Sequence, residues 1–516
     1  MPRRFVYLIV GLLEDSLMDR IAQETAVVLL PAPDVESSQK TDQRSAHGDR
    51  PLDVDPEEVN VVSQPTDRGY LVGIAADIVG ATFRLLSRQE EYVVTDRDEY
   101  GRFLWAHSAS KVSAEPLVNR YAKIVLEGLQ TACTHAGLAT ARKEYWPFGK
   151  PMAGCLSHDI DVVRRGKLPR GVAVRDVVGT LSNLGRGRLG RACRQMATIA
   201  RIAIGKQDPY WTFERISAME DSHGYRSTYF FMSERLHPED AVYDLRSPKM
   251  AQLIGGLTAR GCEIALHGSC ATHTDSAMLL RQKKLLEGIL GKTVTGHRNH
   301  YLKFQVSQSW KAQEAAGFSY DSTLGFADHE GFRGGCAFPF FPYDLDDDRR
   351  LNILEIPLSI MDVSISKYQR LRGEASEQAL RSCLEKTLDV NGLATLLWHN
   401  DTFFEPERPG FAQLYETALA WLSEKDTFVA TCAEIDRWWK ARAAVRLYPL
   451  GEGRKGWRLE SPIEIDGLVL RVSIPDPRSL LRLRGQVSLS IKRDGVDHLM
   501  EFGRLPAGSS VDVEYS

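Results

Sequence analysis

Apolar residues in the middle of this chain gather in short runs, and each run closes on a polar cluster. Gly154-Cys155-Leu156 leads into Ser157-His158-Asp159-Ile160-Asp161, and Cys262 to Leu266 leads into His267-Gly268-Ser269. Gly296 opens His297-Arg298-Asn299-His300-Tyr301, Tyr320 opens Asp321-Ser322-Thr323, and Leu393 to Trp398 leads into His399-Asn400-Asp401. Between these runs lie stretches of helical spacing: Met250 to Arg260 closed by Gly261, Met278 to Leu290 closed by Gly291, and Val306 to Gly317. Arg226 to Met232, Asn352 to Asp362 and Asp426 to Thr431 read as further strands. Strands alternating with helices predict parallel βα units and hence an α/β fold, a (β/α) barrel.

The pattern changes on either side. From Ala441, apolar and polar residues alternate at period two in Trp457 to Glu460, Ile463 to Val472 and Gln486 to Lys492, with turns at Asp466-Gly467 and Asp494-Gly495. A small antiparallel β-domain over 441–516 is expected, as a packing appendage before a sugar-binding one. Upstream, 31–67 is polar and rich in Pro and Asp, a long loop or disordered insertion. Asp77 to Arg88 has helical spacing. Domains are placed at 1–148 (mixed α/β), 149–440 (barrel) and 441–516.

Asp159 and Asp161, two apart on a strand, face the same side. Two carboxylates on one strand end repel, so a positive group belongs beside them, and a divalent metal answers that need with one Asp as ligand and the other as base. An isolated Asp-x-Asp is more often a solvated turn, and a lone His after an apolar run is more often a core residue. Here His recurs at successive strand ends, the rim where α/β folds gather their active sites.

In this order the clusters resemble the polysaccharide deacetylases of carbohydrate esterase family four, over roughly residues 150 to 440. Leu156 to Asp161 is similar to the family's Asp-pair motif in its His-Asp-x-Asp variant. Glu263 to His267 resembles the His motif, Arg298-Asn299-His300-Tyr301 the Arg-x-Pro-aromatic motif, and Leu396-Leu397-Trp398-His399 the late Leu-x-x-His motif. The resemblance implies a distorted barrel with fewer than eight strands and a metal-dependent hydrolase removing N-acetyl groups from an amino-sugar glycan or precursor. Asp159 would be the base, His399 the acid, Arg298 the group that orients Asp159, and the Tyr301 N–H an oxyanion donor. A divalent metal, zinc by preference, would sit on Asp161, His267 and one more His. Two departures touch that third ligand: Ala271 stands where the family's second His is usual, and His300 replaces the motif's Pro. His300 is the first choice, His273 the second and His297 a distant third, because a spacing of six from His267 does not return to one helix face. The rival is a degenerate deacetylase fold that binds glycans or acts as a scaffold. The segment containing Asp77 to Phe103 resembles a domain found ahead of deacetylase domains in many bacterial proteins.

A net charge of −3 argues against nucleic acid as partner. Between Arg164 and Lys206, however, eleven Lys or Arg residues meet one acid, Asp176. That insertion is either a solvated charged face or a surface for anionic lipid, suited to a lipid- or nucleotide-linked sugar. Phe5 to Leu13 runs into Glu14-Asp15 with no cleavage site, so a buried first element is expected rather than a leader. Eight scattered cysteines give neither a disulfide framework nor a CxxC site, so a cytoplasmic protein, peripheral at most to the membrane, is the expectation, and the resemblance implies a role in cell-envelope glycan biosynthesis.

Overall fold

The computed structural model describes residues 55–108, 114–165 and 208–516, except 60, 67, 68, 75, 452, 477 and 486, with scattered positions between 178 and 196. The expectations for 1–54 and for most of the basic segment 164–206 fall outside the described residues.

The apolar runs become strands, labelled β1 (Ala153–Ile160), β2 (Thr228–Phe231), β3 (Glu263–Gly268), β4 (Gly296–Asn299), β5 (Tyr320–Asp321), β6 (Leu354–Glu355), β7 (Ile360–Met361), β8 (Leu393–Leu397) and β9 (Phe428–Ala430). They form one parallel sheet in the order β6-β5-β4-β3-β2-β1-β8-β7, with β9 also on β1. β1 takes β9 along residues 153–155 and β2 along 157–160, two successive neighbours on one edge. β6 and β7 are the ends of a single extended segment. Its Ile356 N–H reaches the Asp321 carbonyl at 2.8 Å, Leu358 N–H the Leu324 carbonyl at 2.9 Å, and Ser359 N–H the Thr395 carbonyl at 3.2 Å. This segment ties the two edges of the sheet together and curls it into a distorted (β/α) barrel. Pro357, lacking an N–H, interrupts the ladder there, so the strand expected over 352–362 is two short pieces.

Helices cover the outside because parallel neighbours need crossovers. Among them, Pro248–Ala259 and Ser276–Leu290 end at Gly261 and Gly291, with φ of +84° and +67°. This is the left-handed C-terminal geometry that glycine adopts without strain. All strands run the same way, so the polar clusters that end them share one rim.

Downstream, two antiparallel four-stranded sheets form. One has the order Arg446–Pro449, Gly456–Ser461, Ser509–Tyr515, Leu481–Arg484. The other has the order Leu489–Asp494, Asp497–Phe502, Val469–Ser473, Thr140–Lys143. Its last strand lies upstream of residue 148, so the C-terminal sheet takes an edge strand from the far side of the barrel sequence. Lys143 Nζ donates to the Arg442 carbonyl at 3.0 Å, and Arg442 Nη2 returns a bond to the Lys143 carbonyl at 2.9 Å.

The N-terminal region brings helices Ile78–Leu86, Gln89–Val93 and Leu117–His135 against the barrel. Glu91 is buried between Arg88 at 2.9 Å and Arg333 at 2.6 Å. Burial alone would raise its carboxyl pKa, but the two guanidinium groups hold it below its ordinary value. Among the described residues no helix is long and apolar enough to cross a membrane.

Candidate active site

Alternation along β1 divides its polar residues between two faces. Ser157 and Asp159 point into the barrel, where both meet Arg298. His158 points out to the helices, with Nδ1 on the Trp398 carbonyl and Nε2 on Glu220, each at 2.8 Å. β4 repeats the division. Arg298 points in, while His297 turns outward to Asp321 at 2.9 Å, so neither His297 nor Asp321 joins the rim site.

Arg298 is wholly buried, and its donors are spent in fixed directions. Nε reaches the Ser322 carbonyl at 2.8 Å, Nη2 the Ser322 hydroxyl at 2.9 Å, and Nη1 both Ser157 Oγ at 2.8 Å and Asp159 Oδ1 at 2.9 Å. The guanidinium also lies 4.2 Å from the centre of the Phe230 ring. A buried charge this fully bonded holds its partner rigidly. One oxygen of Asp159 is thereby pinned, and the other, Oδ2, stands 3.6 Å from His267 Nε2.

Asp161 is the centre of the cluster. Its Oδ1 lies 3.3 Å from His267 Nε2, and its Oδ2 lies 3.5 Å from His300 Nε2 and 3.6 Å from His399 Nε2. The candidate ligand atoms of Asp161, His267 and His300 all fall within 4.8 Å of one another. His267 Nδ1 donates to the Arg298 carbonyl at 2.9 Å, which turns the Nε2 lone pair toward Asp161. His300 Nδ1 faces Asp240 at 3.4 Å and the Cys270 thiol at 3.3 Å, again leaving Nε2 for the cluster. His267 Nε2 and Asp161 Oδ1 are buried atoms without a hydrogen-bond partner. Two converging buried lone-pair donors are costly unless a cation joins them, and histidines fixed through their far nitrogens are the usual form of such ligands. The residues therefore fit a divalent ion. Burial pushes the Asp161 carboxyl up, but the neighbouring His300 and His267 hold it well below the usual range.

His273 is not part of this group. It follows the turn at Ser269–Thr272, and both burial and the charge of Lys303 depress its pKa. A ring beside a lysine ammonium is a poor place for a cation.

His399 closes the rim at the end of β8. Its Nδ1 meets Asp362 Oδ1 at 2.8 Å, and its backbone N–H meets Asp362 Oδ2 at 2.8 Å. Burial disfavours the imidazolium, but the charge and hydrogen bond of Asp362, aided by Asp161 and Asp159, raise its pKa to about 10. Tyr301 follows His300 with its ring 4.3 Å from the His300 ring, in a left-handed backbone at φ +61°. Sequence reasoning missed Asp240 and Asp362 as orienting carboxylates. Asp362 ends a strand, a signal that could have found it; Asp240 sits in the irregular 232–247 loop and carried none.

The family of unknown function DUF7033 matches residues 39–134. No curated protein matches the chain. Among solved structures, a "putative polysaccharide deacetylase" of Mycobacterium smegmatis is 20% identical, covering 60% of this chain and 96% of that one at a TM-score of 0.36. The family 4 carbohydrate esterase of Streptomyces lividans is 11% identical, covering 55% and 93% at a TM-score of 0.27. A CE4 family pseudoenzyme of Bacillus anthracis is 11% identical, covering 56% and 66% at a TM-score of 0.28.

Proposed function

We propose that the rim is the active site of a metal-dependent amidohydrolase that removes N-acetyl groups from an amino-sugar glycan or glycan precursor. The observation that carries this reading is the convergence of Asp161, His267 and His300 beside an Asp159 held by Arg298 and a His399 held by Asp362. Asp161, His267 and His300 would hold a divalent ion, zinc being the best match to a His-rich donor set. Once bound, such an ion supplies Lewis acidity toward the acyl oxygen and the attacking water.

The remaining work belongs to the chain. Arg298 keeps one Asp159 oxygen occupied and leaves Oδ2 to accept the proton of the water that attacks the acetyl carbon. The Tyr301 backbone N–H is the donor for the oxygen that gains charge in the tetrahedral state. His399, protonated at Nε2 and fixed through Nδ1 by Asp362, gives its proton to the amine nitrogen as the C–N bond breaks. Water and amide thus become acetate and a free amino sugar. The reading is tested by metal analysis of the purified chain and by acetate release from N-acetylated oligosaccharides, nucleotide sugars and lipid-linked sugars. Stoichiometric metal with release from one class supports it. Stoichiometric metal with no release from any class leaves a glycan-binding, degenerate site instead.

A further inference from the structure

Tyr301 and Leu302 hold consecutive left-handed conformations, φ +61° and +52°, directly after His300. Neither carries the short polar side chain that eases this geometry. Backbone strain of this kind persists where neighbours over-determine it. Here many of those neighbours come from outside the barrel.

The segment following helix Gln89–Val93 lies over the rim. Arg102, 4% exposed, donates from Nη1 to the Tyr301 carbonyl at 3.3 Å and from Nη2 to the Tyr368 phenol at 2.6 Å. Asp98 fixes the same guanidinium at 2.7 Å. The Tyr100 ring lies flat on the Tyr301 ring, centres 4.9 Å apart and planes 9° apart. Leu104 packs on the small apolar cluster of Leu302, Ala327, Leu358, Met361 and Leu397. The Trp105 backbone N–H donates to Asp328 Oδ1 at 2.9 Å, and the Trp105 ring stacks 4.5 Å from His329. Tyr301 is therefore gripped at its carbonyl and its ring by two residues of one strap, and the strap is anchored on both sides of the contact.

We propose that residues 98–105 are a clamp that sets the backbone of Tyr301, with Arg102 as the positioning residue. The domain matched to a family of unknown function is then a working part of the catalytic site. The proposal rests on the hydrolase reading for its consequence, the aim of the Tyr301 N–H at the acyl oxygen, but not for its geometry. The test is Arg102→Gln, with Tyr100→Leu as a second variant, read by acetate release, metal content and local amide hydrogen exchange of the full chain. Arg102→Gln should lower kcat about 10- to 100-fold, the loss expected of a catalytic donor displaced by about 1 Å, with KM and bound metal unchanged. Exchange should quicken across 299–303 and stay at the parental rate across 156–160. Tyr100→Leu should quicken exchange over the same peptide. Parental exchange at 299–303 in both variants, or exchange quickened equally across β1 and β3, overturns the clamp. If the parent releases no acetate from any substrate, the hydrolase reading fails alone and local exchange still decides the clamp.

Discussion

The two faces of β1 carry polar groups that are put to opposite uses. Outward, His158 has a partner on each ring nitrogen, and Glu220 is also bonded by Ser227 at 2.9 Å and Tyr415 at 2.9 Å. Inward, every nitrogen of the Arg298 guanidinium is bonded, but Asp161 Oδ1 and His267 Nε2 have no hydrogen-bond partner among the described residues. A satisfied buried network adds rigidity, whereas an unsatisfied one destabilises the fold and persists where a ligand completes it. The outer face of β1 stabilises the helical layer; on the inner face Arg298, Asp362 and Asp240 fix the side chains that meet at the rim.

That contrast can be broken by four kinds of variant. The largest effect is expected from Asp159→Asn, which removes the base but keeps the shape. Turnover should fall by about 100- to 10,000-fold with little change in thermal midpoint; a variant that unfolds instead would make Asp159 a structural partner of Arg298. Glu220→Ala should do the reverse. Stripping the partner from His158, Ser227 and Tyr415 should cost about 3 kcal/mol or more in denaturant unfolding, with activity per folded molecule unchanged. A selective loss of turnover there would show that the faces are coupled.

Glu91→Gln sharpens the comparison by adding a buried ion pair with no chemistry to do. It should cost about 3 kcal/mol at neutral pH by taking the carboxylate from Arg333 and leaving Arg88 only the longer contact with Glu90 at 3.4 Å. Because the folded pKa of Glu91 is depressed, its contribution is present above the unfolded value near 4.5 and lost as pH falls through the folded value. The gap between parent and variant should therefore shrink in acid, and a gap independent of pH would show that packing, not charge, is responsible. The smallest effect is expected from Tyr415→Phe, about 1 kcal/mol for one hydrogen bond at the edge of the outer network, with kinetics unchanged.

Much of the inner face was legible because its signals are local. Apolar runs marked the strands, Gly261 and Gly291 marked helix ends, and polar clusters at run ends marked the rim. His300 could be named because it sits beside Arg298 and Tyr301 in one cluster. What escaped depends on contacts between distant segments. Asp240 reaches His300 from a loop without periodicity, and Thr140–Lys143 pairs with Val469–Ser473 across the whole barrel sequence. Neither pairing leaves a trace in the spacing of nearby residues. The strand expected over 352–362 was visible, but its role as the tie between both sheet edges was not, since that depends on which neighbours it finds.

The central claim is a division of labour between two carboxylates two residues apart, and metal analysis of three purified proteins tests it most directly. The parent and Asp159→Asn should each carry one divalent ion per chain, and Asp161→Ala should carry none. An Asp159→Asn protein that comes out metal-free, or an Asp161→Ala protein that keeps its full complement, would contradict the account.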